Sequence, residues 1–419
     1  MARISCIHKT ATSCTPSATI YSTIDAWEDS CNRAVNGDET GVICDDVAYD
    51  EENEFLVTES GTSIVRLTAN DGVMFTHIDG SPVGSVRGDG SMRSGARIHN
   101  TAGTTNVVYL RSEYMIIDHL NIIQSADSAA DDPIQLVGGA VSNQAIINCN
   151  IECTTGANDQ DGINLNDLNG GAILINGVAI LNPPRAGIHY WQNASSGTYD
   201  LDSLHVYHCG MYSDIGDDFS AALVKMSQNS TGATSIVEVY NNAGGYIEDH
   251  TGTRVAPFAD GTNTDRATPD GSCTWNGSHN FSDPDTGGLD DLNSGDVNIT
   301  DWIHGSDATS STATTTKTSG SYWVVNDVAA DGDLTPLDDA AGNAIIAAGT
   351  ATANLPSTGN ATIDAWWQTI NESGAIDKRG HRFGSGDAGD ADAPDVGPFS
   401  YADNVTSADL PFTAQVISI

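Results

Sequence analysis

The sequence predicts an all-β fold, a right-handed parallel β-helix (β-solenoid) with short helical caps, on the strength of two recurring frames and a composition rich in turn residues. The first frame is six residues long. It occurs as Ile117-Asp118-His119-Leu120-Asn121-Ile122, Ile146-Ile147-Asn148-Cys149-Asn150-Ile151, Ile175-Asn176-Gly177-Val178-Ala179-Ile180 and Leu201-Asp202-Ser203-Leu204-His205-Val206, at offsets of 29, 29 and 26 residues. Positions one, four and six are aliphatic or Cys, and position three holds a residue suited to a bend. A near-constant period of this size marks stacked structural units. The second frame is shorter: Ile134-Gln135-Leu136, Ile163-Asn164-Leu165 and Ile188-His189-Tyr190, at offsets of 29 and 25. Two short alternating strands per turn cannot bury their apolar faces alone, but stacked as coils they can.

Stacking predicts continuous inner rows of aliphatic side chains and an outward row of Asp118, Ile147, Asn176 and Asp202. A looser fifth turn is legible where Val239-Tyr240-Asn241 echoes Val206-Tyr207-His208. An ordinary β-sandwich would show a shorter strand rhythm and would not tie whole 29-residue blocks together.

Residues 1–60 read as an N-terminal cap. Tyr21-Ser22-Thr23-Ile24-Asp25-Ala26-Trp27-Glu28 opens with N-cap residues and sets Ile24 and Trp27 on one helical face, as a cover for an open solenoid end requires. Residues 61–300 read as the β-helix, with first coils drawn from Ser63–Leu67, Val73–Thr76 and Asn106–Leu110. Residues 301–419 read as C-terminal strands, a short helix at Thr362–Gln368 and a closing segment. In that stretch Thr309–Ser319 is low in complexity and Ser321–Val325 has a strand pattern. The pentapeptide Thr-Ile-Asp-Ala-Trp stands at both 23–27 and 362–366, which fits two similar end caps or coincidence.

The charge balance excludes whole classes of partner. With 16 Lys+Arg against 56 Asp+Glu the formal net charge is −40. Nucleic-acid binding needs cationic surface and is not expected, nor is adsorption to anionic membranes. No stretch approaches the length of a membrane span, and the N-terminus shows no apolar signal core, so export by lysis or loss of a leader is expected. Such an acidic surface suits a saline or calcium-rich setting. Of the eight cysteines, Cys149 sits on an inner row. Cys6, Cys14, Cys31 and Cys44 cluster near the start, where they could form two bridges pinning the cap.

Three stretches carry a family resemblance. Asp377-Lys378-Arg379-Gly380-His381-Arg382, followed by Pro394-Asp395-Val396-Gly397-Pro398-Phe399-Ser400-Tyr401, resembles the closing motif of right-handed parallel β-helix repeat proteins, with Pro398 and Ser400 in place of the usual Ala and Glu. Tyr21–Glu28 is similar to the opening of such proteins from phage, prophage and marine bacterial genomes, and Arg97 to Ile122 is similar to the coil that follows that opening. The resemblance implies fold more than function, because that family is defined by its architecture.

The candidate chemistry lies beside the second frame. Asp131 and Asp132 precede Pro133-Ile134, Asp159 and Asp161 precede Gly162-Ile163, and Arg185 stands just before Ala186-Gly187-Ile188. In a solenoid these positions stack at roughly 5 Å, the strand spacing. If the chain is an enzyme, Asp132, Asp161 and Arg185 are the catalytic candidates for a polysaccharide lyase or glycoside hydrolase. Calcium is the candidate cofactor, at Asp131, Asp159, Asp161 and Asp217 in the oxygen-rich loops Asp127–Asp132, Asn158–Asp161 and Asp214–Asp218. Against both stands the plain abundance of Asp in turns. His189, Tyr190 and Trp191, with His205 and His208 one coil on, could stack on sugars, although Tyr190 falls on an inner row. The expected function is therefore a non-enzymatic virion structural protein: capsid decoration, fibre or spike. Its expected location is the virion or extracellular space. Its expected partners are other virion proteins, host surface polysaccharide and further copies of itself, as a trimer or lattice. An extracellular adhesin is the remaining alternative.

Overall fold

The computed structural model describes residues 2–16, 18–50, 53–55, 62–72, 74–75, 77–78, 81–82, 85–88, 94–101, 106–125, 131–137, 143–154, 160–191, 201–213, 222–227, 235–247, 258–260, 273–282, 297–300, 303–304, 349, 355–371 and 397. Over these residues the chain is a parallel β-helix. Three parallel sheets of eleven, nine and seven strands run along its length, and a full turn visits the first, second and third in order. One such turn is Met115–Asp118, Asn121–Gln124 and Ile134–Val137, after which Gln144–Ile147 re-enters the first sheet.

In-register pairing makes the inner rows. Ile117, Ile146, Ile175, Val206 and Val239 stack in the first sheet. Ile122, Ile151, Ile180 and Met211 stack in the second, and Ile134, Ile163, Ile188, Val224 and Phe258 in the third. All of these are essentially excluded from water. Because like sits on like at every coil, burial is cumulative along the axis rather than gathered in one centre.

A full turn therefore has three strands, where two were expected. The six-residue frame is not one strand but a corner joining two. Its third position bends the chain into the left-handed region at His119 (φ 57°), Asn148 (φ 53°), Gly177 (φ 65°), His208 (φ 51°) and Asn241 (φ 57°). Asn and His tolerate this conformation better than most side chains. Gly177 has a further reason to be glycine, since a Cβ there would lie 2.2 Å from Oδ1 of Asn148.

The corner also corrects the fourth frame. Val206, not Leu201, stacks on Ile175, so the true copy is Val206-Tyr207-His208-Cys209-Gly210-Met211, with Cys209 and Met211 buried. The longer connection before this coil, not a shorter one, absorbs the irregularity. The row expected to contain Asp202 is instead Asp118, Ile147, Asn176, Tyr207 and Tyr240.

That row faces away from the core, yet Asp118, Ile147, Asn176 and Tyr207 are fully buried. The cover is a helix, α3 (Ala361–Asn371), with the segment before it. Leu355, Ile363 and Trp367 pack on Ile64, Ile116, Ala145, Ile147, Leu174 and Tyr207. Asn360 caps α3, accepting from the backbone N–H groups of Thr362 and Ile363 at 3.0 and 3.2 Å. The helix at the second Thr-Ile-Asp-Ala-Trp is thus a flank cover, not an end cap. The first copy does close the core: Thr23 caps α1 (Ile24–Glu28), and Ile24 and Trp27 are fully buried among core residues. Strands Arg3–Ile7 and Glu39–Ile43 belong to the first sheet, so the segment read as a cap also supplies coils.

All eight cysteines are unbridged. The two bridges expected among Cys6, Cys14, Cys31 and Cys44 are absent; Cys6, Cys14 and Cys44 instead pack with Val42 and Phe75 in a small apolar cluster. No helix among the described residues is long and apolar enough to cross a membrane. The closing motif at 377–401, apart from Gly397, and the segments 309–319 and 321–325 lie outside the described residues.

Candidate functional site

The outward face of the third sheet gathers the polar residues of interest. Pairing sets Gln135, Asn164, His189 and Lys225 in one row, and Asn166, Trp191 and Ser227 in the next. Asp132 and Arg185 stand just before two of these strands, and Asp161 opens the one between them. Coils can approach closely here because Gly162 lacks a side chain: a Cβ would lie 2.5 Å from Ile180 and 2.7 Å from the Gly187 carbonyl.

The structure brings Asp132, Asp161 and Arg185 together as expected. Arg185 donates to Asp161 with Nε, at 2.9 Å, and with Nη2. His189 Nδ1 lies 2.9 Å from Asp161 Oδ2, and His189 Nε2 lies 2.9 Å from the Ser227 hydroxyl. Asp132 accepts from the backbone N–H of Asp161 at 2.7 Å and from Asn164 Nδ2 at 2.8 Å. The two carboxyls titrate in opposite directions. Burial, reinforced by the Asp161 charge, pushes Asp132 well above the usual carboxylate range. Burial also pushes Asp161 upward, but His189 and Arg185 outweigh it and hold Asp161 below that range.

Ser227, His189 and Asp161 have the order of a nucleophile, base and orienting carboxylate. Ser227 is nevertheless only 1% exposed and His189 is fully buried, so the chain of hydrogen bonds ties three coils together beneath the surface. The exposed member of the face is Trp191, 37% accessible, whose ring meets His189 edge-on at 5.6 Å.

Of the four calcium candidates, Asp131 and Asp161 lie among the described residues. Asp161 has its oxygens committed to an imidazole and to a guanidinium, and the guanidinium would repel a cation. Asp131 is nearly buried, its Oδ2 without a hydrogen-bond partner among the described residues; Asp159 and Asp217 lie outside the described residues. Among the described residues no group of three or more His, Cys, Asp or Glu is arranged to hold a metal ion.

Tyr190 packs in the core, as its position required. His205 and His208 do not join His189: His205 lies in the first sheet between Ser203 and Tyr207, and His208 forms the corner. Lys225 and Ser227 were missed because their strand, Ala222–Ser227, follows its neighbour by 36 residues (Ile188 to Val224), outside the repeat rhythm. The one available signal was that Lys225 is one of only four lysines in the chain. No protein-family model, curated protein or solved structure matches this chain.

Proposed function

We propose that this chain is a structural, non-enzymatic β-helix displayed on a virion, as capsid decoration, fibre or spike, with its third-sheet flank turned toward host glycans. The observation that carries the non-enzymatic reading is the saturation of Asp161. Its oxygens are spent on Arg185 and His189, and His189 is spent on Ser227. Groups so committed hold coils in register, and a general acid or base must instead reach a substrate atom. The stacked parallel coil suits a rigid rod, and the acidic surface suits an extracellular particle kept from aggregating. Exposed Trp191 supports contact with sugar rings. Assembly through a lateral face, as a trimer or an array, belongs to the same reading.

The test is to band particles from the source culture on a density gradient and quantify the chain against the main shell protein by mass spectrometry. Near-stoichiometric copies mean decoration and a low copy number means a spike or fibre. A chain found free in the medium and absent from particles overturns the reading.

One observation favours a second reading, a polysaccharide lyase or glycoside hydrolase. The opposite titration of Asp132 and Asp161 is the pattern of an acid paired with a charged partner. Depolymerisation of a host polysaccharide that disappears in both Asp132→Asn and Asp161→Asn would establish it; activity unchanged by either substitution would remove these residues from consideration.

A further inference from the structure

We propose that Lys225 and Trp191 form a subsite for an anionic saccharide residue, one bearing a carboxylate or a sulfate, on the third-sheet flank. The inference rests on the glycan-contact reading above and names the ligand class.

The argument begins from an uncompensated charge. Lys225 is only 6% exposed, and it has no hydrogen-bond or ion-pair partner among the described residues. The carboxylate whose charge it feels is Asp161, but Asp161 is already shared between Arg185 and His189. Asp132, the next carboxyl along, is driven toward its neutral form by burial and by Asp161. Among the described residues the cluster thus sets two basic side chains, Arg185 and Lys225, against Asp161, the carboxyl held below its usual range, while burial disfavours the charged form of Lys225. Desolvation penalises the charged form of Lys225, and an anion brought from outside would offset that penalty.

Geometry supplies the rest. Lys225 pairs with His189 and Ser227 with Trp191 on adjacent parallel strands. Lys225 and Trp191 are therefore diagonal neighbours on one face, roughly 8 Å apart at their Cα atoms from strand spacing and rise. That separation matches a pyranose ring stacked on the indole with a charged substituent reaching the ammonium. Arg185, whose side chain is 23% exposed, borders the same face. In a chain of net charge −40 a long polyanion is repelled, so the attraction is local and suits one charged residue among neutral ones.

The experiment is an array of neutral, uronate-bearing and sulfated oligosaccharides probed with the full chain, followed by titration calorimetry of the best ligand and its uncharged counterpart. The charged ligand is expected to bind about tenfold more tightly, the scale of one partly screened ion pair. Lys225→Met should erase that preference while leaving the uncharged counterpart bound as before, which also reports an intact fold. Lys225→Arg should keep the preference, and Trp191→Ala should weaken both ligands. A uronate preference or a sulfate preference assigns the anion. Equal binding of charged and neutral ligands, or a preference that survives Lys225→Met, overturns the subsite and leaves glycan contact standing. Binding to no oligosaccharide overturns both.

Discussion

Two places in this solenoid are built from the same three residue types, and only one of them looks outward. On the first sheet Asp118 accepts two hydrogen bonds from Arg66, another from Thr68, and lies 2.9 Å from His119 Nδ1. On the third sheet Asp161 is held by Arg185 and His189 in the same manner. The first constellation is sealed: α3 covers it, and the Trp366 ring stacks on the Arg66 guanidinium at 5.6 Å. Its additional cation, Arg87, has Asp71 3.8 Å away. The second keeps an exposed Trp191 and leaves the additional cation, Lys225, unmatched. An Asp–Arg–His set is thus a way of fastening coils to one another. What distinguishes a candidate site is the charge and aromatic surface left over after the fastening is complete.

The comparison breaks most visibly on removing each carboxylate. Asp118→Ala strands Arg66, whose side chain is 8% exposed, and is expected to cost about 3–5 kcal/mol, the range for breaking a buried pair. Asp161→Ala takes that carboxylate from Arg185, which is more exposed and can turn toward water. Its expected cost is smaller, on the order of 1–3 kcal/mol. Urea unfolding of the two variants measures both. Equal losses would mean that the helical cover adds nothing to the first constellation.

Acid sharpens the same contrast. Burial, helped by Arg87, lowers His119 from 6.5 to about 4, and burial alone lowers His205 to about 4. Between those values the unfolded chain binds the proton more readily than the folded one, so stability falls as pH drops from 6.5 toward 4. Each histidine contributes a loss of about 3 kcal/mol across that window. Below it Asp118, itself held low by Arg66 and His119 against the upward push of burial, begins to lose its own contribution. His119→Asn keeps the left-handed corner, as Asn148 does one coil on, and should remove about half of the acid loss. Stability curves of wild type and variant that run parallel from pH 7 to 4 would show that His119 does not titrate as placed.

The rows of the solenoid were legible in the sequence because parallel stacking repeats one requirement at every coil. Ile117, Ile146 and Ile175 announce themselves by type and spacing, and so does Asp161 beside Arg185. The fourth frame misled because Leu204 and Val206 also alternate. Only the αL requirement at His208 tells which residue stands at the corner, and a positive φ leaves a faint mark when His, Asn and Gly all satisfy it. The helical cover was hidden for another reason. Tyr207 donates to the Pro356 carbonyl across 149 residues, and no local pattern records which flank a distant helix will choose. Lys225 was obscured by an irregular connection, since its role depends on partners supplied by neighbouring coils.

The smallest expected effect tests whether Asp132 is a site residue or another fastener. Its folded-state pKa is raised, so the stability it contributes is present below the unfolded value and is lost as pH rises through the folded one. Asp132→Asn removes that liability. The new amide keeps one oxygen for the Asp161 N–H and turns its NH2 toward Asn164, whose Oδ1 is without a partner and can accept once that amide rotates by half a turn. Near pH 5 the variant should match wild type within about 1 kcal/mol, and it should become the more stable of the two as pH rises. At a pH low enough to keep the acid protonated, wild type and variant both carry a neutral group here, so Arg185, His189 and Lys225 keep their places, and saccharide binding at the flank should be unchanged. A loss of saccharide binding with stability intact would instead give Asp132 a direct contact with the ligand, and would make the third-sheet constellation differ from its sealed counterpart by a carboxyl as well as by a cation.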